Sequence, residues 1–171
     1  MRHLTFNNSG QAPVNGYAGG GGVTTAGWAV QGKFKTFGSD SVQYAVTGGD
    51  GVGRYLLGAV NNTSAVINNG QLEGIRQQAF SLGYQRVWSP TWRSNLIYGQ
   101  IKSNLPHPAV PLTTPSKVAA LLANMFWTPV PNSLIGLEFE RAEVTNDAVA
   151  TPTLSNKGKN DRVSLSFQYG F

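Results

Sequence analysis

The residues of this 171-residue chain best placed to act on a solute are basic ones set at a period of two. Lys33 and Lys35 share one face of an extended Trp28 to Thr36 segment, and Arg93 and Arg162 take the polar face of two later segments. Side chains so spaced project from the same side of a sheet. A ladder of Arg and Lys lining a passage favours anions. Arg54 and Arg76 stand in a long connection, Arg54 at the end of Gly49-Asp50-Gly51-Val52-Gly53-Arg54. Glu138 and Glu140 are two apart on one face of a single segment. Glycosidic cleavage needs carboxyl groups that face each other across a cleft, so these two are expected to be wall charges. An alternative stands equal to anion selection, in which the cations only solvate the wall or pair with Glu138 and Glu140.

Other chemistry finds little support. The glycine-rich 49–54 stretch lacks the spacing of either phosphate-binding fingerprint, and no helical crossover accompanies it. The two histidines, His3 in an extended stretch and His107 between prolines, lack the partners of a metal site or triad. Cysteine is absent, which removes disulfides, thiolate metal sites and cysteine nucleophiles. The expectation is a protein that is not an enzyme, with no catalytic residue, no cofactor and no metal. The net charge of +5 would also fit nucleic-acid binding, but scattered cations, one or two to a segment, make no exposed basic patch, and no nucleic acid is expected.

The elements that must position these charges are strands. In the last ten residues Val163, Leu165, Phe167, Tyr169 and Phe171 fall on one face, and Arg162, Ser164, Ser166, Gln168 and Gly170 on the other. An apolar side ending in aromatics, backed by a wholly polar or small side, suits a wall between lipid and water. Only 12% of residues are charged, about half the usual share. Gly, Asn, Ser, Thr and Gln supply the polarity instead, as in a barrel with a polar lumen. No run approaches the apolar length of a membrane helix, so spanning falls to strands. The start, Met1 to Asn7, is strand-like and has no leader-like apolar core, which suggests the C-terminal part of a longer chain or a removed leader.

The same alternation marks about eight strands. Trp28, Val30 and Phe34 oppose Ala29, Gln31, Lys33 and Lys35; Val42, Tyr44 and Val46 follow the Gly38-Ser39-Asp40 turn; Phe80, Leu82 and Tyr84, then Trp92, Leu96 and Tyr98, flank Ser89-Pro90. Ile97 and Ile101 blur one polar side. Residues 117–127 are apolar on both faces and fit a short helix as well as a strand, although the flanking turn 128–132 and the alternating Ile135, Leu137 and Phe139 favour a strand. Long connections at about 8–23, 48–75, 103–116 and 145–160 alternate with short turns. That is the pattern of an outer-membrane barrel with its long loops external. Phe37, Trp88, Trp92, Trp127 and Phe171 gather at the short-turn ends, where an aromatic girdle would lie.

The ending Phe167-Gln168-Tyr169-Gly170-Phe171 resembles the C-terminal insertion signal of bacterial outer-membrane barrels, with Phe167, Tyr169 and Phe171 as its aromatics. More of the chain resembles the C-terminal half of DcaP-type porins. The resemblance rests on Gly27 to Lys35, Gly49 to Tyr55, Gly83 to Trp88 with Arg93-Ser94, Phe126 to Asn132, and Gly136 to Glu140. It implies an all-β, antiparallel transmembrane barrel, of which residues 1–171 would supply about eight of sixteen strands. It also implies a homotrimer in the bacterial outer membrane, in contact with its lipid, inserted by the barrel-assembly machinery through the C-terminal strand, and passing small anionic solutes such as dicarboxylates. Arg54 is the best single match in the glycine-rich stretch. Two alternatives remain: a small closed eight-stranded outer-membrane barrel with a structural or adhesion role, and a soluble ligand-binding barrel with its faces reversed.

Overall fold

The computed structural model describes residues 2–7, 22–56, 64–107 and 109–170. Ten strands follow in order: β1 (Arg2–Asn7), β2 (Gly22–Lys35), β3 (Ser41–Asp50), β4 (Ala65–Asn68), β5 (Gln71–Gly74), β6 (Arg76–Ser89), β7 (Trp92–Asn104), β8 (Pro115–Trp127), β9 (Ser133–Asn146) and β10 (Lys157–Tyr169). Eight form one antiparallel sheet in the order β1-β2-β3-β6-β7-β8-β9-β10, and β4 pairs with β5. The sheet is therefore an up-and-down wall. Among the described residues no helix is long and apolar enough to cross a membrane, which says nothing about strands.

The segment that is apolar on both faces is strand β8, held on one edge by β7 and on the other by β9. The strands also run further than the alternation suggests. β7 reaches Asn104, β9 reaches Asn146, and β10 starts at Lys157, leaving only 105–114 and 147–156 between them. At these ends both faces are polar, so the period of two disappears while the backbone ladder continues. For the same reason Arg76 opens β6 instead of lying in the preceding connection, and β2 begins at Gly22. Among the described residues of 51–75 the chain makes a 3-10 turn at Gly53–Tyr55 and the β4–β5 hairpin. That hairpin turns at Asn69 (φ 49°) and Gly70 (φ 74°), the Asn-Gly pair that a type I′ turn needs.

The short turns are tightly held. In the β2–β3 turn Thr36 N–H donates to the Asp40 carbonyl (3.0 Å) and Asp40 N–H to the Phe37 carbonyl (2.9 Å). The buried Asp40 carboxylate accepts from Tyr84 Oη (2.6 Å), Arg86 Nη1 (2.7 Å) and Val87 N–H (2.8 Å), which fastens the turn to β6. The Tyr84 hydroxyl first, then the Val87 amide and Arg86, hold this carboxyl below its ordinary pKa.

Burial is inverted relative to a soluble domain. Among the described residues the buried apolar side chains, Val52, Leu56, Ile75 and Val110, all lie in connections, while strand residues such as Phe34, Leu82, Leu96 and Leu137 stand exposed. On β10 Val163, Leu165 and Phe167 are 70–77% exposed. Glycines on this apolar face are roofed by aromatics. A Cβ on Gly32 would lie 2.8 Å from the Tyr44 ring, and one on Gly48 would lie 2.9 Å from Trp28. Gly32→Ala is expected to push Tyr44 off the sheet at a cost of about 1–3 kcal/mol. Equilibrium unfolding in detergent micelles should show it as an earlier transition, with Gly38→Ala, where nothing lies within 4 Å but φ is +56°, as the purely backbone comparison.

Candidate functional site

Directly opposite residues of neighbouring strands share a face, so the register sorts the wall into two surfaces. On one, a rung runs Lys33, Gln43, Gly83, Ile97, Leu122, Glu140, Arg162 from β2 to β10. The next rung toward the short turns is Lys35, Ser41, Gln85, Asn95, Asn124, Glu138, Ser164. One cavity of about 600 Å³ is lined mainly by this surface from Gln31 on β2 to Ala142 on β9. A surface that shares one cavity across six strands is concave.

The middle of the second rung is hydrogen-bonded from Gln85 to Glu138. Gln85 Nε2 donates to Asn95 Oδ1 (3.1 Å), Asn95 Nδ2 to Asn124 Oδ1 (2.7 Å), and Asn124 Nδ2 to Glu138 Oε2 (3.3 Å). Every donor points the same way, toward a carboxylate, so each amide polarises the next. Glu138 and Glu140 then meet Arg162, whose Nη2 is 3.9 Å from Glu138 Oε1 and 2.5 Å from Glu140 Oε2. The structure thus brings three of the expected wall charges into one cluster. Lys33, Lys35 and Arg93 form no ion pair with a described carboxylate. Arg93 instead lies over the Phe126 ring, 5.2 Å from its centroid. Arg54 is apart from these rungs: it sits exposed in the 3-10 turn, and its backbone N–H donates to Ser64 Oγ (3.0 Å).

Sequence reasoning missed the amides Gln85, Asn95 and Asn124. Asn95 carried a signal, as a polar residue two from Arg93, and Asn124 stood as a single polar residue inside an apolar segment. It also left Ile97 and Ile101 without a role. With Val118, Ala120 and Leu122 they make an apolar area on the concave face, and the 52–56 turn folds onto it: Val52 and Leu56 pack with Leu4, Ala79 and Ile101. Gly27 permits that approach, since a Cβ there would fall 2.4 Å from Val52 Cγ1. This is why β8 is apolar on both faces.

On the other surface the short-turn end carries aromatics. Trp92 and Trp127 stack (5.4 Å, 13°), Trp88 Nε1 donates to Ser94 Oγ (2.9 Å), and Arg86 lies 5.1 Å from the Trp88 ring centre. Phe167 and Tyr169 lie on this surface opposite Ile135 and Ser133. Phe171 lies outside the described residues, as does the side chain of His3.

At the long-connection end, His107 joins two loops. Its Nδ1 faces the Val110 carbonyl (2.5 Å) and its Nε2 faces Asp147 Oδ2 (3.2 Å), while Ser116 Oγ donates to Asp147 Oδ1 (2.6 Å). The carboxylate sits between serine and histidine, so this is no nucleophilic triad. A neutral imidazole has one N–H for these two acceptors. The Val110 carbonyl first, then Asp147, raise the His107 pKa, and Ser116 first, then His107, lower that of Asp147. The clasp is therefore complete at pH values below the ordinary histidine pKa and lost as pH rises through the raised one. On the acid side it persists until Asp147 protonates, below the ordinary carboxylate value. Nuclear magnetic resonance titration of His107 should show an upward-shifted midpoint that returns toward ordinary in Asp147→Asn.

No family model matches the sequence, and no curated protein matches it. The fold does have a counterpart among solved structures. It is similar to the crystal structure of the outer membrane channel DcaP of Acinetobacter baumannii, with a TM-score of 0.74 and 20% sequence identity over 89% of this chain. The match takes in 42% of that channel's chain, so this chain spans less than half its length. At that identity the likeness is one of fold, and the resemblance to DcaP-type porins in the sequence is met in the architecture: eight antiparallel strands built as part of the wall of that channel.

Proposed function

We propose that the chain is part of the wall of a passive outer-membrane diffusion channel for small hydrophilic solutes, with a preference for anions such as dicarboxylates. The observation that carries this is the division of one sheet into an exposed apolar surface with an aromatic end and a concave polar surface crossed by charged rungs. So large an exposed apolar surface needs lipid or another apolar medium against it. Channel action and contact with outer-membrane lipid extend the likeness to the outer membrane channel DcaP to this chain, and assembly as a homotrimer is taken from the resemblance to DcaP-type porins in the sequence. The place of β10 at the end of the strand order, beside β9, suits insertion by the barrel-assembly machinery through the C-terminal strand. Lys33, Lys35 and Arg93 would supply the anion preference, and Arg54, Glu138, Glu140 and Arg162 are further solute-contact candidates.

A closed eight-stranded barrel would need β1 to pair with β10. Among the described residues β1 pairs only with β2, which counts against that alternative. The test is conductance of the full-length protein in planar bilayers. Stepwise, ohmic openings are expected, because sixteen strands enclose water whereas eight enclose only side chains. Insertion without conductance would sink the channel reading.

A further inference from the structure

The net charge of this chain does not reside mainly in its concave surface. Four of the six lysines, Lys102, Lys117, Lys157 and Lys159, fall on the apolar surface, beyond its apolar belt at the long-connection end. The register sets them in two adjacent rungs. One runs Lys102, Lys117, Thr145, Lys157 across β7 to β10, and the next runs Gln100, Ala119, Glu143, Lys159. All four are exposed, and none forms an ion pair with a described carboxylate. Of the acids nearby, Asp161 is engaged by Arg141 one rung lower (2.7 and 2.9 Å) and feels Lys159 at longer range, Asp147 is held by Ser116 and His107 and feels Lys102 at longer range, and Glu143 lies opposite Lys159 within electrostatic reach of Arg141.

Lys102 directly opposite Lys117 is an arrangement a sheet disfavours, because like charges on adjacent strands repel. It is compensated when a multivalent anion bridges them. The upper rung spans three strand spacings, roughly 14 Å, the breadth of one or two phosphorylated headgroups. Two rungs below it the surface turns apolar on β7 and β8 through Tyr98 and Leu121, and one rung further, below the Arg141–Asp161 pair, on β9 and β10 through Phe139 and Val163, so the lysine stems can lie toward the belt with their ammonium groups at its edge. The opposite end of the same surface carries Trp88, Trp92 and Trp127, and its one cation there, Arg86, is tied to Asp40. The two ends thus differ in what they can hold.

We infer that Lys102, Lys117, Lys157 and Lys159 form a docking surface for phosphorylated lipid headgroups in the leaflet on the long-connection side. This rests on the membrane-wall reading above. The test reconstitutes the full-length protein in phosphatidylcholine vesicles with a minor fraction of spin-labelled phosphatidic acid, and compares its motionally restricted fraction with that of spin-labelled phosphatidylcholine. Phosphatidic acid should be enriched about tenfold around the protein. High salt should weaken the enrichment. K102Q/K117Q/K157Q/K159Q should abolish it, K102R/K117R/K157R/K159R should keep it, and added inorganic phosphate should not displace it. Equal restriction of both lipids, or unchanged enrichment in the glutamine variant, overturns the inference. Displacement by inorganic phosphate overturns the assignment to a headgroup. Quenching of tryptophan fluorescence by brominated lipid reads the membrane placement separately. Absent quenching defeats the wall reading itself, whereas quenching without enrichment defeats only the lysine surface.

Discussion

Replacing Lys33, Lys35 and Arg93 together by glutamine should take the full-length channel from anion preference to near indifference or mild cation preference. The measurement is the reversal potential under a salt gradient. On the concave strand face the described side chains carry four cations, Lys33, Lys35, Arg93 and Arg162, and two anions, Glu138 and Glu140. Arg162 is spent on its two glutamates, so the free positive field comes from the other three. Fixed cations beside a narrow passage raise the local concentration of anions. Their reach falls to about 10 Å at 0.1 M salt, so the preference should fade as salt rises. Glu138→Gln with Glu140→Gln should act in the opposite sense and strengthen anion preference, because it unmasks Arg162. Cation preference in the parent, or no change in the triple variant, would show that these side chains do not set selectivity.

The second large effect separates the two surfaces by a single residue. Leu96 stands on the apolar surface in the rung Phe34, Val42, Tyr84, Leu96, Ala123, Phe139, Val163, and is 53% exposed; Asn95 beside it belongs to the amide ladder. Leu96→Arg should cost about 2–4 kcal/mol of stability for folding into bilayers, the depth-dependent penalty of a charge on a lipid-facing strand. Asn95→Arg should cost far less, since the concave side offers water and carboxylates, and should instead alter conductance. Urea titration of the protein folded into phosphatidylcholine vesicles reads both. Equal penalties would mean that the surface carrying Leu96 does not face lipid.

Most strands were legible in the amino-acid order because they have one apolar and one polar face, and a period of two survives wherever those faces differ. Val163 to Tyr169 and Val42 to Val46 needed nothing more. The same period assigned Lys33, Lys35, Arg93, Glu138, Glu140 and Arg162 to one side of the sheet. Where the faces stop differing the pattern carries no information, so the polar strand ends at Asn104, Asn146 and Lys157 read as loop. The doubly apolar 118–123 read as helix or strand alike. Which residues stand opposite one another depends on register, and register is a property of the assembled sheet. Only the tertiary structure could therefore join Gln85, Asn95, Asn124 and Glu138 into one ladder, pair Arg162 with its two glutamates, set Lys102 against Lys117, and bring Val52 and Leu56 onto the apolar area that accounts for Ile101 and Val118. Each of these contacts links residues distant in the chain, and no local spacing encodes them.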